Sequence, residues 1–410
     1  MKFLHTADLQ IGARFSQFGE QAEFLRNIRL ATLGRILNIA HDRNLDVVLI
    51  AGDTFESNQV ADSLVREVFE ILEAHPDVPI VILPGNHDPF DGPGCIWSRR
   101  PFNQPPDHVT VCSSRDALDV GEAVILPIPI TQKISTQDPS YPLIELATGI
   151  STDRIKVGMT HGSLAIEGKH QPHDHPIALD AATRARLDYL AVGHWHKPQV
   201  YDDGRLVMPG TPEPDQFGQG AGVVLIVDLA EPGAKPIIEQ VETCMMSWQE
   251  VGIEVSGSTE PSERVADALA NIDSASHETI LRIELRGLVD PVQKSLLLAE
   301  CKKASERFAI TQIRDRTSMR LSESLWQAWQ MDHPLLAQAT SDIQQARALY
   351  TGLPPDLFAK EVQSLTQKEF QTICLQVGLD PSALPSGIFE SMMTLLIDEV
   401  SAQAGREADS

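Results

Sequence analysis

Cations are scarce in this chain. Its 410 residues hold 33 Lys and Arg against 57 Asp and Glu, a formal net charge of −24. That balance argues against a generic basic coat for nucleic acid, which binds by neutralising phosphates. No apolar run approaches the roughly 20 residues that span a bilayer, so no membrane association is expected. The opening Met1–Asp8 is too short and too soon polar for a signal peptide and reads as a strand. The five cysteines (Cys95, Cys112, Cys244, Cys301, Cys374) are scattered without a CxxC pair. They read as reduced thiols of a cytoplasmic protein. There is no internal repeat and no low-complexity tract. What remains, 42% hydrophobic and 22% charged residues, is an ordinary globular balance.

Up to about residue 235 one pattern recurs: a short apolar strand, then a polar turn with Gly or His, often followed by a helix. Strands are expected at Lys2–Ala7, Asp46–Ala51, Pro79–Leu83, Ala123–Pro127, Lys156–Thr160, Tyr189–Val192 and Gly222–Asp228. Between the first two, Phe24, Leu25, Ile28, Leu33, Ile36, Leu37 and Ala40 recur at near-helical spacing. Strands alternating with helices predict a layered α/β domain whose chemistry sits on loops beyond the strand ends. Ala230-Glu231-Pro232-Gly233 marks a boundary. Residues 236–320 read as a smaller α/β unit, with strands at Trp248–Val255, Thr279–Arg286 and Phe308–Arg314 and helices at Glu263–Ile272 and Val292–Ser305. Residues 321–410 read as helical.

Five short motifs fall at predicted strand ends: Asp8-Leu9-Gln10, Gly52-Asp53, Gly85-Asn86-His87-Asp88, His161-Gly162 and Gly193-His194-Trp195-His196. Alone, a strand-terminal Asp is usually a cap or turn former, and a lone His is usually structural. Together they supply carboxylate, amide oxygen and imidazole, the ligands that hard and borderline divalent cations take. Two such ions ~3.5–4 Å apart can clamp the attacking and leaving oxygens of a phosphoryl displacement.

In order and rough spacing these motifs resemble the calcineurin-like metallophosphoesterases, whose pattern reads DxH, GDxxx, GNH[DE], H and GHxH. Leu4–Gly12, Ala51–Glu56 and Met208–Gly218 further resemble the SbcD branch of DNA repair exonucleases. The specific resemblance runs from residue 1 to about 228. It implies a metallophosphoesterase β-sandwich flanked by helices, a small α/β cap that helps hold duplex DNA, and C-terminal helices that dock on an SbcC-like, SMC-type ATPase. It also implies two divalent ions, Mn²⁺ favoured with Mg²⁺ as the alternative. Asp8, Gln10, Asp53 and His196 would surround the first ion, with Asp53 bridging. Asn86, His161 and His194 would complete the second. His87 would stay off the metal and protonate the leaving oxygen or stabilise the transition state, with Asp88 able to orient its ring. The implied activity is exonuclease and endonuclease cleavage of DNA. The acidity predicts weak, salt-sensitive DNA binding unless a basic stripe or a partner helps.

One position departs from the pattern. The family has His where this chain has Gln10, a neutral amide and a weaker ligand for transition metals. Gln10 can ligate through its oxygen, water can replace it, or the first site can be crippled. The completeness of the other ligands favours retained activity. Alternatives are a small-substrate phosphodiesterase or nucleotidase, against which the long region after the catalytic domain argues, and a weakened DNA-binding structural subunit. Monomer and homodimer are both open.

Other features have two readings each. His170, His173 and His175 suggest a third metal site or phosphate contact, or a polar surface loop. Trp97 with Arg99-Arg100 suggests a DNA contact or a solvated loop, whereas Trp195 reads as packing. Arg282, Arg286, Lys302, Lys303, Arg307, Arg314 and Arg316 form a basic stripe or ordinary solvated faces. The apolar residues from Leu325 to Phe370 read as self-packed core or a docking face.

Overall fold

The computed structural model describes residues 1–319 apart from 170, 256–259, 271 and 273–275. The helical region expected over 321–410 lies outside the described residues. The chain divides into two units, Met1–Glu250 with Ala275–Leu281, and Val251–Ser274 with the chain from Arg282 on.

The first unit contains twelve strands in two sheets. In chain order these are β1 (Lys2–Thr6), β2 (Val47–Ala51), β3 (Ile80–Leu83), β4 (Val109–Val111), β5 (Leu118–Val120), β6 (Ala123–Pro127), β7 (Ile155–His161), β8 (Tyr189–Gly193), β9 (Gln199–Tyr201), β10 (Leu206–Met208), β11 (Val223–Asp228) and β12 (Ile237–Glu242). One sheet runs β12-β11-β1-β2-β3-β4 and the other β5-β6-β7-β8-β10-β9. Their facing sides share one apolar layer, in which Phe3, Val47, Leu49 and Val81 pack with Ile125, Val157, Met159 and Tyr189. The residues that alternate with them point outward. Leu4, Val48, Ile50, Ile80 and Ile82 meet Leu33, Ile36 and Leu37 of α1 (Ala22–Asp42) and Val65, Val68 and Leu72 of α2 (Asp62–Glu73). On the far side Val124, Leu126, Leu190 and Val192 meet α3 (Leu143–Thr148) and α4 (Ala181–Arg184). Helices on its outer face and the second sheet on its inner face explain why β2 reads Val-Val-Leu-Ile-Ala without alternation: both its sides are buried.

The central strands β1, β2 and β3 are parallel, as are β6, β7 and β8. Parallel strands deliver their C-terminal ends to one edge, and the motif residues lie there. The strand expectations hold at all seven positions. Short strands β4, β5, β9 and β10 carry too few residues to show a period. β12 extends the first sheet past residue 235 by pairing with β11 from Val223↔Glu242 to Asp228↔Ile237, and the first unit runs on to Glu250.

The second unit centres on a three-stranded sheet ordered β13 (Ser247–Val255), β14 (Thr279–Val289), β15 (Ile310–Met319), with α5 (Pro261–Leu269) and α6 (Pro291–Ser305). Asp290 starts α6 with a capping box: its carboxylate accepts from the Val292 and Gln293 N–H groups, and Gln293 answers to the Asp290 N–H. No helix among the described residues is long and apolar enough to cross a membrane.

Candidate metal centre

The loops after β1 and β2 continue their ladder beyond the strands. Asp8 N–H donates to the Gly52 carbonyl at 3.1 Å, Gln10 N–H to Asp53 at 3.0 Å and Ile11 N–H to Thr54 at 2.9 Å. Within this extension Asp8, Gln10 and Asp53 take left-handed backbone, at φ 55°, 48° and 53°. His194, just past β8, has φ 130°. Such conformations are unfavourable for non-glycine residues, and they cluster where function fixes them.

Two glycines allow the loops to close. A Cβ on Gly52, itself at φ +96°, would lie 2.1 Å from His161 Nδ1. A Cβ on Gly85 would lie 2.2 Å from Asp53 Oδ1 and 2.4 Å from the Asp53 nitrogen. Glycine is thus required for the backbone to approach the ligands this closely.

Asp53 lies at the centre, 1% exposed. Its Oδ1 accepts from the His87 N–H at 2.9 Å. Its Oδ2 accepts from Gln10 Nε2 at 3.1 Å and lies 3.3 Å from His161 Nε2. His161 Nδ1 donates to the Ala51 carbonyl at 2.9 Å, which turns Nε2 into the site, 2.8 Å from Asn86 Oδ1. His194 Nδ1 is 3.1 Å from the same Asn86 oxygen, and the two histidine rings stand perpendicular with centroids 5.4 Å apart. Ligand atoms of Asp53, His161 and His194 all lie within 4.8 Å of one another, a spacing that suits one metal ion. Asp8 accepts from the His194 N–H at 2.9 Å. His196 stands apart from this trio, with Nδ1 3.2 Å from Asp215 Oδ2.

The charge balance fits a cation. Burial would raise the Asp53 carboxyl, but the His161 ring and the His87 N–H hold it well below the usual range. Burial of His161 is outweighed by Asp53 and Asp8, which lift the ring to about 9. Asp8 is pushed up, chiefly by burial and also by the Asp53 charge. Its Oδ1 and Gln10 Oε1 are buried acceptors with no hydrogen-bond partner among the described residues. Two unsatisfied oxygens beside two buried carboxyl groups are what a divalent ion would satisfy.

His87 is the most accessible of these groups, its side chain 34% exposed. Its Nδ1 donates to the Glu56 carbonyl at 3.0 Å, and Glu56 Oε1 is 3.9 Å away. The ring is therefore oriented by Glu56, not by Asp88. The fully buried Asp88 instead accepts from Gly85 N–H at 2.7 Å and Phe55 N–H at 2.9 Å, tying the two motif loops together. Burial and the Asp53 charge push Asp88 up to about 7.

Several participants have no motif signal. Arg29 of α1 is 1% exposed and donates to the Leu9 and Glu213 carbonyls, with Asp215 at 3.7 Å. Asp215 and Glu213 lie in the Met208–Gly218 stretch, whose sequence stands out without revealing a role. Asp174 lies 2.8 Å from His194 Nε2. It sits between His173, which is exposed, and the buried His175, whose Nε2 donates to the Gln132 carbonyl. Those two rings thus share no site, and His170 is outside the described residues. Trp97 is buried against Phe55 and Phe102 and donates to the Asp88 carbonyl, while Arg99 is held by Asp62 and Asn58. Trp97 and Arg99 stitch the loop, with a third of the Arg99 side chain still exposed, and Arg100 is exposed. Trp195 packs as expected and donates to Ser163 Oγ.

Residues 1–198 match the family model of calcineurin-like phosphoesterases. The D subunit of the nuclease SbcCD from Bacillus subtilis (strain 168) is 25% identical over 316 residues, 67% of this chain and 75% of that protein. Its counterpart of the same name from Rhodobacter capsulatus is 28% identical over 284 residues, 58% of this chain and 68% of that protein. The DNA double-strand break repair protein Mre11 of Aeropyrum pernix is 24% identical over 327 residues, 74% of this chain and 77% of that protein.

Proposed function

Given that residues 1–198 form a calcineurin-like phosphoesterase domain, we propose that this protein is a two-metal nuclease that hydrolyses phosphodiester bonds in DNA. The observation that carries the reading is the convergence of the four other motif loops on Asp53, with two buried oxygens beside it left unsatisfied. Asp8, Gln10, Asp53 and His196 would hold one ion, and Asn86, His161 and His194 the other, with Asp53 shared. Bound there, Mn²⁺ or Mg²⁺ would supply Lewis acidity at phosphorus and a nucleophile at neutral pH.

The side chains do the rest. Asp53 is fixed on one oxygen by the His87 N–H and on the other by Gln10, so its orientation is set before any ion arrives. The Glu56 carbonyl accepts a hydrogen bond from His87 Nδ1–H, which leaves Nε2 facing the substrate; with the ring doubly protonated, the Nε2 proton passes to the departing oxygen and the ring is left neutral, its proton on Nδ1. Gln10 binds Asp53 through its nitrogen while its oxygen lacks a partner, which supports ligation through Oε1 and retained activity. DNA as substrate is supported by relatives named as nucleases and as a double-strand break repair protein. An SbcC-like ATPase partner is supported by relatives named as one part of the nuclease SbcCD.

The test is cleavage of end-labelled single- and double-stranded DNA with Mn²⁺, Mg²⁺ or EDTA. Metal-dependent shortening is expected, reduced about 10²–10⁴-fold in His87→Ala. Cleavage by Gln10→His but not by wild type would mean that the first site has decayed. No cleavage by either, with hydrolysis of a small phosphodiester, would move the substrate from DNA to small molecules.

A further inference from the structure

Both histidines of the Gly193-His194-Trp195-His196 turn have a carboxylate of their own, and neither carboxylate belongs to a motif. Asp174 Oδ2 is 2.8 Å from His194 Nε2. Asp215 Oδ2 is 3.2 Å from His196 Nδ1. An ionised carboxylate only accepts, so each fixes the proton on the ring nitrogen it faces. His194 is thereby left with Nδ1 as its free lone pair, and Nδ1 is the atom that lies 3.1 Å from Asn86 Oδ1. His196 is left with Nε2. The two rings, two positions apart in the chain, present opposite nitrogens.

Both carboxylates are themselves held. Asp174 pairs with Ser135 in an isolated bridge, and its carbonyl accepts from Ser163 N–H at 3.0 Å. That turn packs on Gly162, where a Cβ would lie 2.3 Å from the His175 carbonyl oxygen. Asp215 takes a second donor, Gln219 Nε2, at 2.6 Å and has Arg29 beside it at 3.7 Å. The side chains of Asp174 and Asp215 are 28% and 22% exposed.

We propose that Asp174 and Asp215 are positioning residues that select which nitrogen of His194 and of His196 meets an ion, each serving a different ion. This rests on the reading that His194 and His196 are metal ligands. A histidine whose outer nitrogen is held by a carboxylate is a more basic and better-aimed ligand, and loss of such a partner costs about 10–100-fold in metal affinity.

The experiment is Mn²⁺ titration of the full chain, followed by the electron paramagnetic resonance of free Mn²⁺, for wild type, Asp174→Asn and Asp215→Asn. The melting temperature of each metal-free protein is measured alongside. Wild type should bind two ions. Each variant should lose about 10–100-fold in one affinity, a different one in each, with the metal-free melting temperature of Asp174→Asn unchanged. Affinities equal to wild type in both variants overturn the proposal and leave the nuclease reading intact. So does equal loss at both ions with a lowered melting temperature, the mark of a structural role. Asp174 contacts no buried ion pair, so its arm decides even if Asp215→Asn fails to fold. Wild type that binds no ion overturns this proposal and the metal reading together.

Discussion

His5 shows what the interior of the sandwich does to a titratable ring. It sits on β1, fully buried, with Nδ1 2.9 Å from the hydroxyl of Tyr189 on β8. Burial, against a backbone contact at Val192, pushes its pKa from 6.5 down to about 3. Between those values the unfolded chain takes up a proton that the folded chain refuses. The stability tied to the neutral ring is therefore complete above pH 6.5 and lost as pH falls toward 3. The loss is about 1.4 kcal/mol per pH unit, or about 2 kcal/mol between pH 7 and pH 5. Urea denaturation of wild type and His5→Gln in EDTA checks this, because other titrations cancel in the difference. Wild type should lose about that much more than the variant over the same interval. Parallel pH profiles would mean that the ring is not held neutral.

Helix α1 buries a charge for a reason visible only in three dimensions. Arg29 reaches the Leu9 carbonyl within the first motif and Asp215 beside His196. Its second guanidinium nitrogen meets the carbonyl of Glu213, whose own carboxylate is held by Thr32 and the Met245 and Met246 N–H groups. Arg29→Met should cost about 3–5 kcal/mol, since it leaves the Leu9 carbonyl without its donor and takes the buried guanidinium away from the Glu213 carbonyl and from Asp215. Arg29→Lys should recover little of it, because an ammonium cannot match the planar fork. Chemical denaturation measures both. The same helix marks the limit of what the sequence reveals. Its core face follows from the spacing of Leu25, Leu33, Ile36 and Leu37, and β1, β2 and β3 follow from apolar runs closed by motif turns. The primary ligands are legible because each is tethered to a strand end. Arg29, Asp174 and Asp215 are not, because their partners lie 20, 20 and 19 or more residues away and no local period records such contacts. β12 is hidden for a different reason: Ile237-Ile238-Glu239-Gln240-Val241-Glu242 is a half-exposed edge strand after a Pro-Gly break.

At the scale of the whole molecule, the proposed substrate would be a polyanion meeting a chain of net charge −24. Part of the described positive charge is already paired. Arg99 is paired with Asp62, Arg184 with Asp138 and Asp180, and Lys294 with Asp315. In the second unit Arg286 and Arg316, two members of the anticipated basic stripe, share the carboxylate of Glu284 at 3.1 and 2.9 Å. Lys302, Lys303, Arg307 and Arg314 are exposed, but against a net charge of −24 phosphate contacts would be few, and bound ions would supply much of the local positive charge. Affinity for duplex DNA depends on salt with a slope of about −0.9 per phosphate neutralised. Fluorescence anisotropy of the isolated chain on duplex DNA should give weak binding and a shallow slope, about −2 to −3. Mn²⁺ should strengthen that binding and EDTA should weaken it. A slope as steep as that of a protein making 6–10 phosphate contacts, roughly −5 to −9, would instead reveal a basic groove, and with it a chain that grips DNA without an ATPase partner.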